Sequence, residues 1–515
     1  MRLAAIAGSV VSLGLLSAAA CSSTNVVSND DAGTSGTSGT SGTSGDGGTG
    51  PTTLKSGAVV FIGLTTDNYA VYTVASGANR QIEAVPVAGG TATVIGTVEL
   101  DDDVVVTSKV VGFWTAIDET GVGTFNMWTK AGGVKTAIAG ATNSIAGFLA
   151  ASTDGTRVAF GFNSPADTTD IAVTTVTAPA TVAGATTGVI TGVNVISPGC
   201  QPDFGFPANT KNFVIAYCDG NGDTLTNARL VAVNDGGTPT PTQYISDAVA
   251  SAIKPLWISD KAGTRFFVSG IGATNQARIF TVAGATTAVL ENGVGAGFID
   301  DAGTNVYYRV ASGAFRKVAA NVATNATPAN PPATAVTLVN TGYVSTLGTA
   351  GDYSRFLFRS LAPVAGNNEI PRVDINMANN TAAGQTPTAL VATATGIPVG
   401  FNSTNTHVVY LTEATGAGSG KVKVRPTAAG GAEREAAALG IFPRSIPTTS
   451  KFAFFSDPKT VGEDVTFDLQ VFDATGTAAP TKVLTGIEPF YDFAGTTVVF
   501  TKIGTGGGLF SQALP

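Results

Sequence analysis

Histidine is nearly missing from these 515 residues: there is one, His407. A single imidazole leaves Ser-His-Asp triads, histidine-ligated zinc and most histidine proton shuttles without their parts. Charge is scarce as well, with 12% Asp, Glu, Lys and Arg against 43% hydrophobic residues. The net charge of -8 is mildly acidic and not clustered, which gives no electrostatic footprint for nucleic acid or anionic lipid and argues against nucleic-acid partners. Solubility must therefore come from hydroxyls and turns. Cysteine is limited to Cys21, Cys200 and Cys218.

The one long apolar run, residues 3–16, follows Arg2 and precedes Ser17-Ala18-Ala19-Ala20-Cys21. A short basic start, an apolar middle and small residues before a cut describe an export signal over residues 1–20. Ala18-Ala19-Ala20 also satisfies an ordinary secretory cut, which would give a soluble periplasmic or secreted protein; an uncleaved membrane anchor is a further alternative. An exported chain with three thiols leaves one unpaired, unless Cys21 is consumed by a thioether lipid and Cys200 pairs with Cys218. The segment resembles a bacterial lipoprotein lipobox, with Ala20 before the cysteine as that family has it and Ala18 where Leu is usual. The resemblance implies lipidation at Cys21, and Ser22 in place of an Asp implies the outer membrane. Residues 21–52 include four Thr-Ser-Gly triplets and offer little apolar surface, so they are expected to be a flexible tether spanning roughly 30 Å.

From residue 53 a different text begins. Thr156-Arg157-Val158-Ala159-Phe160 returns as Thr264-Arg265-Phe266-Phe267-Val268, Thr304-Asn305-Val306-Tyr307-Tyr308, Ser354-Arg355-Phe356-Leu357-Phe358, Thr406-His407-Val408-Val409-Tyr410, Ser450-Lys451-Phe452-Ala453-Phe454 and Thr496-Thr497-Val498-Val499-Phe500. A hydroxyl, a polar residue and a β-branched or aromatic run every ~40–55 residues has the spacing of β-propeller blades. The clearest unit predicts strands over 147–152, 156–162, 170–176 and 188–190, with a turn at 153–155. Four antiparallel strands make a blade.

Aromatic anchors of the second strand, from Tyr72 through Tyr217 to Phe500, count about eight to ten blade-like repeats over residues 53–515. One large ring and two smaller propellers in tandem both fit that count. The final unit has only three strands, so residues 53–63 either supply its fourth or belong to the first blade. Ser152-Thr153-Asp154-Gly155-Thr156-Arg157-Val158-Ala159-Phe160 followed by Asp170-Ile171-Ala172-Val173 resembles the WD40-like repeat of TolB-type propellers, with Thr153 in place of the usual Pro. The resemblance implies the fold more than a function, since propellers host binding, scaffolding and catalysis alike.

Few residues point to chemistry. Cys200 and Cys218 flank two expected neighbouring strands, near enough for a disulfide that would stabilise by roughly 3 kcal/mol; two separate buried thiols are the alternative. Asp219, Asn221 and Asp223 have the alternation that opens a calcium loop, but Thr224 stands where Gly belongs and Leu230 where Glu belongs, so a polar hairpin turn competes. Calcium is the only cofactor these residues suggest. Asp101-Asp102-Asp103 and Asp300-Asp301 read as solvated turns or a channel mouth, and His407 as a surface imidazole. The inner strands read Phe148-Leu149-Ala150, Leu256-Trp257-Ile258, Phe298-Ile299 and Phe490-Tyr491, which favours a binding or scaffolding module for a protein or glycan partner. The alternative is a propeller hydrolase or lyase with carboxylates, and calcium, in its channel.

Overall fold

A strand buried on one face alternates apolar and polar residues; a strand buried on both reads as a continuous apolar run. The recurring five-residue signature is of the second kind, and the computed structural model shows why. It describes residues 50–117, 123–138, 144–163, 169–176, 189–193, 202–207, 210–221, 224–235, 241–248, 256–282, 286–361, 373–391, 397–413, 418–428, 431–462 and 464–515. Among these, everything regular is antiparallel strand apart from one 3-10 turn, Asp101–Asp103.

Six sheets have four strands each and are single blades. Two larger sheets each hold two blades. In one, blade 3 (144–193) is joined to blade 4 (203–248) in a single sheet by one strand pair, Val193 and Asp219. In the other, the long strand Arg434–Ser445 pairs first as the outer strand of blade 8 and then, from Ile441, as the inner strand of blade 9. The described residues thus form ten blades. Blades 1 and 2 span 60–98 and 104–138; blades 5, 6 and 7 span 256–289, 294–339 and 343–391; blade 10 begins at Tyr491.

Ten buried apolar clusters lie between the blades, one for each consecutive pair and one between blade 10 and blade 1. An open row of ten blades would have nine such interfaces; the tenth makes a single closed ring, which sets aside two propellers in tandem. Alternation along each second strand feeds both neighbours. Val158 and Phe160 enter the cluster shared with blade 2, while Ala159 enters the one shared with blade 4. Likewise Tyr307 packs toward blade 7, and Val306 and Tyr308 toward blade 5.

Closure uses both candidate segments near the start of the ring. Thr52–Ser56 is the outer strand of blade 10, paired with Gly508–Ala513, and Val60–Leu64 is the inner strand of blade 1. The clasp therefore starts at Thr52, one residue before the boundary expected from the sequence. Gly508 has φ +147°, and a Cβ there would lie 2.1 Å from the Lys55 carbonyl oxygen, so only glycine lets the closing strand approach.

Candidate functional site

The ring has two faces. On one, a short turn joins each inner strand to the second strand, and this is where the repeated hydroxyl-polar signature lies. In blade 3 the Ser152 N–H donates to the Arg157 carbonyl (2.9 Å); Asp260 does the same to Arg265 (3.1 Å), Asp300 to Asn305 (3.0 Å) and Asn402 to His407 (3.0 Å). The side chain at that first position then accepts from the far end of the turn. Asp260 takes the N–H groups of Thr264 (2.7 Å) and Arg265 (3.2 Å), and Asn402 takes those of Thr406 and His407 (2.9 Å each). The fourth residue adopts positive φ, hence Gly155, Gly263 and Gly303, with Asn405 at 56°. Tyr353 holds φ 56° at the same point, against its preference, because its hydroxyl donates to Asp301 (2.7 Å) and its ring stacks 6.2 Å from Tyr307.

These turns also tie blade to blade. The Thr66 N–H donates to the Ser108 carbonyl, and the Ser108 hydroxyl to the Thr153 carbonyl. The Lys261 N–H donates to the Asp301 carbonyl, and the Gly351 N–H to Asn405 Oδ1. Asp300 and Asp301 are therefore turn and belt components rather than a channel mouth. Their counterparts are also engaged: Asp154 is partly buried, which raises its pKa, but hydrogen bonds from Ser152 and Thr156 and the nearby Lys211 bring it below the carboxylate range. Asp352 is lowered by the hydroxyl and N–H of Ser354, and Asp473 by Thr475 and Ser450 against the effect of burial. A depressed carboxylate contributes stability that is complete above its unfolded value, about 3.9, and is lost as pH falls through the folded value. The expected result is a melting temperature flat from pH 7 to about 5 that drops below about pH 4, with a shallower acid limb in an Asp154→Asn, Asp352→Asn, Asp473→Asn variant; equal limbs in the two proteins would remove these carboxylates from the account.

The channel is set by pairing. Among the described residues each inner strand pairs within its blade with the second strand alone, and side chains of neighbouring blades reach some of its carbonyls: Trp257 donates to Asp203 (3.1 Å), Arg309 to Tyr343 (3.1 Å) and Arg444 to Tyr491 (2.8 Å). Inner-strand side chains go sideways: Ile62 and Val106 pack between blades 1 and 2, Ile397 and Val399 between blades 8 and 9. Carboxylates on described inner strands are Asp203 and Asp492, six blades apart along the chain, and Asp492 is paired with Arg444 (3.2 Å). Among the described residues no three His, Cys, Asp or Glu side chains converge to hold a metal ion.

The residues singled out from sequence are dispersed. Cys21 and Cys200 lie outside the described residues, as does Asp223. Cys218 is buried in the second strand of blade 4 and is disulfide-bonded. Asp219 accepts from the Asn227 N–H (2.7 Å) and forms an ion pair with Arg229, so a calcium ion there would have to displace a guanidinium. Asn221 ends the same strand, opposite Thr224 across the hairpin. Asp101 pairs with Arg80 (3.0 Å), and Asp103 accepts the Leu100 N–H (3.1 Å). His407 is half-buried beside Thr406; burial and the Arg434 charge lower its pKa, and Asp473 opposes them.

Sequence reasoning missed a recurring buried set. Where the second-strand anchor is Tyr instead of Phe, its buried hydroxyl needs an acceptor, and a carboxylate with its own cation is there. Tyr72 donates to Glu83 (2.6 Å), which Lys55 reaches from the clasp (2.9 Å). Tyr308 donates to Glu291 (3.1 Å), which pairs with Arg316, and Tyr410 donates to Glu433, which pairs with Lys423. Tyr217 is pushed up to about 12 by burial, with Arg229 lowering and Asp219 raising it. The Tyr anchors were visible in the repeat; their partners sit 11 to 23 residues away at no fixed offset.

The opposite face carries the loops joining second to third strands and the connectors between blades. Exposed large apolar side chains collect there: Val60 and Leu256 at inner-strand starts, Phe490 just before one, and Leu100 in a connector. Phe490 is 51% exposed and Leu100 57%. The hairpin Lys451–Val461 and Asp464–Asp473 of blade 9 outruns its blade and ends in exposed Val461 and Val465. Val94, Val134 and Val336 are exposed where outer strands begin at the turn-face end, so exposed apolar side chains are more numerous on the loop face without being confined to it.

No family model matches the chain, and neither does any curated protein. Among solved structures it is similar to the tricorn protease, at 12% identity and a TM-score of 0.33, covering 88% of this chain and 52% of that one. The chain thus spans about half the length of that protein. It is also similar to the β-propeller domain of the Trilobed protease from Pyrococcus furiosus, described as having an open velcro topology, at 8% identity and a TM-score of 0.32, covering 60% and 94%. A third is Chaetomium thermophilum Sqt1 bound to the N-terminus of the ribosomal protein L10, at 11% identity and a TM-score of 0.37, covering 71% and 96%. The fold rests on the strand pairing and the ten interfaces within the chain itself, which make it an all-β propeller of four-stranded antiparallel blades.

Proposed function

We propose that the protein is an exported propeller, lipid-anchored at Cys21 and carried on the 21–52 tether, that serves as a periplasmic or cell-surface binding or scaffolding module for a protein or glycan. The observation that carries the binding role is the concentration of exposed apolar side chains, Phe490, Leu100, Leu256, Val461 and Val465 among them, on the loop face. Apolar side chains held exposed on a rigid ring mark interaction surfaces, whereas the turn face spends its polar groups internally. Export and lipidation rest on residues 1–21 alone.

Two measurements on one strain test this. A lipid precursor fed to cells should label the wild-type protein and leave Cys21→Ala unlabelled; a labelled variant would overturn the anchor. A photo-crosslinking residue at Phe490 or Val461 should give a discrete adduct, while the same residue at Thr404 or Thr448 on the turn face should not. Equal crosslinking from both faces, or none from either, would sink the loop-face reading.

A further inference from the structure

Among the described residues, three of the four large apolar side chains exposed where the chain enters an inner strand belong to consecutive blades. Phe490 leads into blade 10, Val60 opens blade 1, and Leu100 leads through the 3-10 turn into blade 2. The inner strands of these blades run side by side, so the three positions follow one arc of the loop face at the closing seam. The fourth, Leu256, stands apart on blade 5.

The connectors at the two ends of the arc are acidic. Glu488 lies two residues before Phe490, and Leu100 sits in the run Glu99-Leu100-Asp101-Asp102-Asp103, which holds no cation. Cations near the arc are already engaged: Lys55 with Glu83 (2.9 Å), Arg80 with Asp101 (3.0 Å), and Lys502 over the rings of Phe500 and Phe510. The Glu99 and Glu488 carboxylates are left without a cation among the described residues. Exposed apolar side chains grouped on a rigid surface mark an interface, and the charge at its rim selects the partner, since opposite charge steers the encounter and like charge rejects it. An anionic lipid surface or an acidic segment would be repelled. A second copy docked through the same arc would set carboxylate against carboxylate. A segment with Leu-like side chains and neighbouring Lys or Arg covers the apolar positions and gives both carboxylates a cation.

We propose that the loop-face arc over blades 10, 1 and 2 docks a basic, apolar segment of a partner protein, with its aliphatic side chains on Phe490, Val60 and Leu100 and its Lys or Arg side chains on Glu99 and Glu488. The proposal rests on the loop-face reading above and adds to it the position of the contact and the chemistry of the partner.

The test is fluorescence anisotropy of the full chain with a short labelled peptide in which Leu alternates with Lys, beside its Leu/Glu and Ser/Lys counterparts. The Leu/Lys peptide should bind saturably, and each counterpart about tenfold more weakly or not at all. Glu99→Gln with Glu488→Gln should weaken the Leu/Lys peptide by about tenfold, and Phe490→Ser with Leu100→Ser by about as much. Asp352→Asn with Glu413→Gln removes the same charge from exposed positions on blades 7 and 8 and should leave binding unchanged. Equal losses from the two charge variants would reduce the binding to a general attraction of cations to an acidic protein and overturn the proposal. Equal binding of the Leu/Glu peptide, or no binding of the Leu/Lys peptide, would overturn it as well. The crosslink at Phe490 separates this failure from failure of the loop-face reading: an adduct in cells without Leu/Lys binding leaves the face an interface for a partner of other chemistry, whereas loss of both removes the face itself.

Discussion

Deleting residues 1–56 should lower the stability of the ring by about 4.5–6 kcal/mol, whereas deleting residues 1–49 should leave it unchanged. The longer deletion removes the clasp strand Thr52–Ser56 from Gly508–Ala513 and takes Leu54 out of the cluster between blades 10 and 1. Burial of one such side chain is worth ~1.5–3 kcal/mol. It also removes Lys55, whose ammonium is 2.9 Å from Glu83, and so leaves a carboxylate that is only 5% exposed without its cation. Breaking a buried pair from one side costs ~3–5 kcal/mol, at the lower end here because Lys55 is a third exposed. The total rivals the whole stability of an ordinary domain, roughly 5–15 kcal/mol. Urea denaturation of the two deletions decides it: a shared midpoint would show that the ring does not depend on its clasp.

The second large effect is expected at blade 6. Glu291→Ala should cost about 3–5 kcal/mol, because it strands the Arg316 guanidinium and the Tyr308 hydroxyl together. The pair is buried, with side-chain exposures of 15% and 7%. Replacing the whole set, as Glu291→Leu with Arg316→Met and Tyr308→Phe, should recover most of the loss, since blades 3 and 9 fill the same position with Phe160 and Phe454. Denaturation midpoints of the single and triple variants test this. A triple variant no more stable than Glu291→Ala would mean that the set contributes net stability rather than merely satisfying the Tyr hydroxyl.

Strand positions were legible because a blade strand buried on both sides must be continuously apolar and must end at a turn. In blade 3 the expected strand 156–162 is Arg157–Asn163, and 170–176 is Thr169–Thr175. Gly89 and Gly90, in the turn between the third and fourth strands of blade 1, hold positive φ, at 90° and 132°, as a Gly-Gly pair at a turn suggests. Blade 4 was harder to read because its inner strand, Asp203–Gly205, is three residues long. The strand shared by blades 8 and 9 carries Gly440 and Pro443 on either side of Ile441, where one pairing ends and the next begins, but it continues unbroken from one blade into the other.

The candidate site was legible only in part. Asp219 and Asn221 sit at a hairpin as read, but local spacing could not reveal that Arg229 occupies the carboxylate. Asp300 was seen as acidic and on a turn; its use as the acceptor that closes the turn depends on backbone geometry. The loop-face arc joins Phe490 to Val60 and Leu100, and nothing in either stretch announces the other.

The sequence by itself determined the strand rhythm, the turn chemistry and the all-β class, because these follow from side-chain periodicity and backbone preference within a dozen residues. Only the tertiary structure decided that ten units close into one ring. Closure depends on the cluster shared by Leu54 and Val499, at opposite ends of the chain, and Lys55 reaches Glu83 only because blade 10 becomes the neighbour of blade 1. A local pattern states which faces of a blade are apolar; which other apolar face covers each one is decided by how much each blade rotates relative to the last, and that rotation is a property of the packed ring.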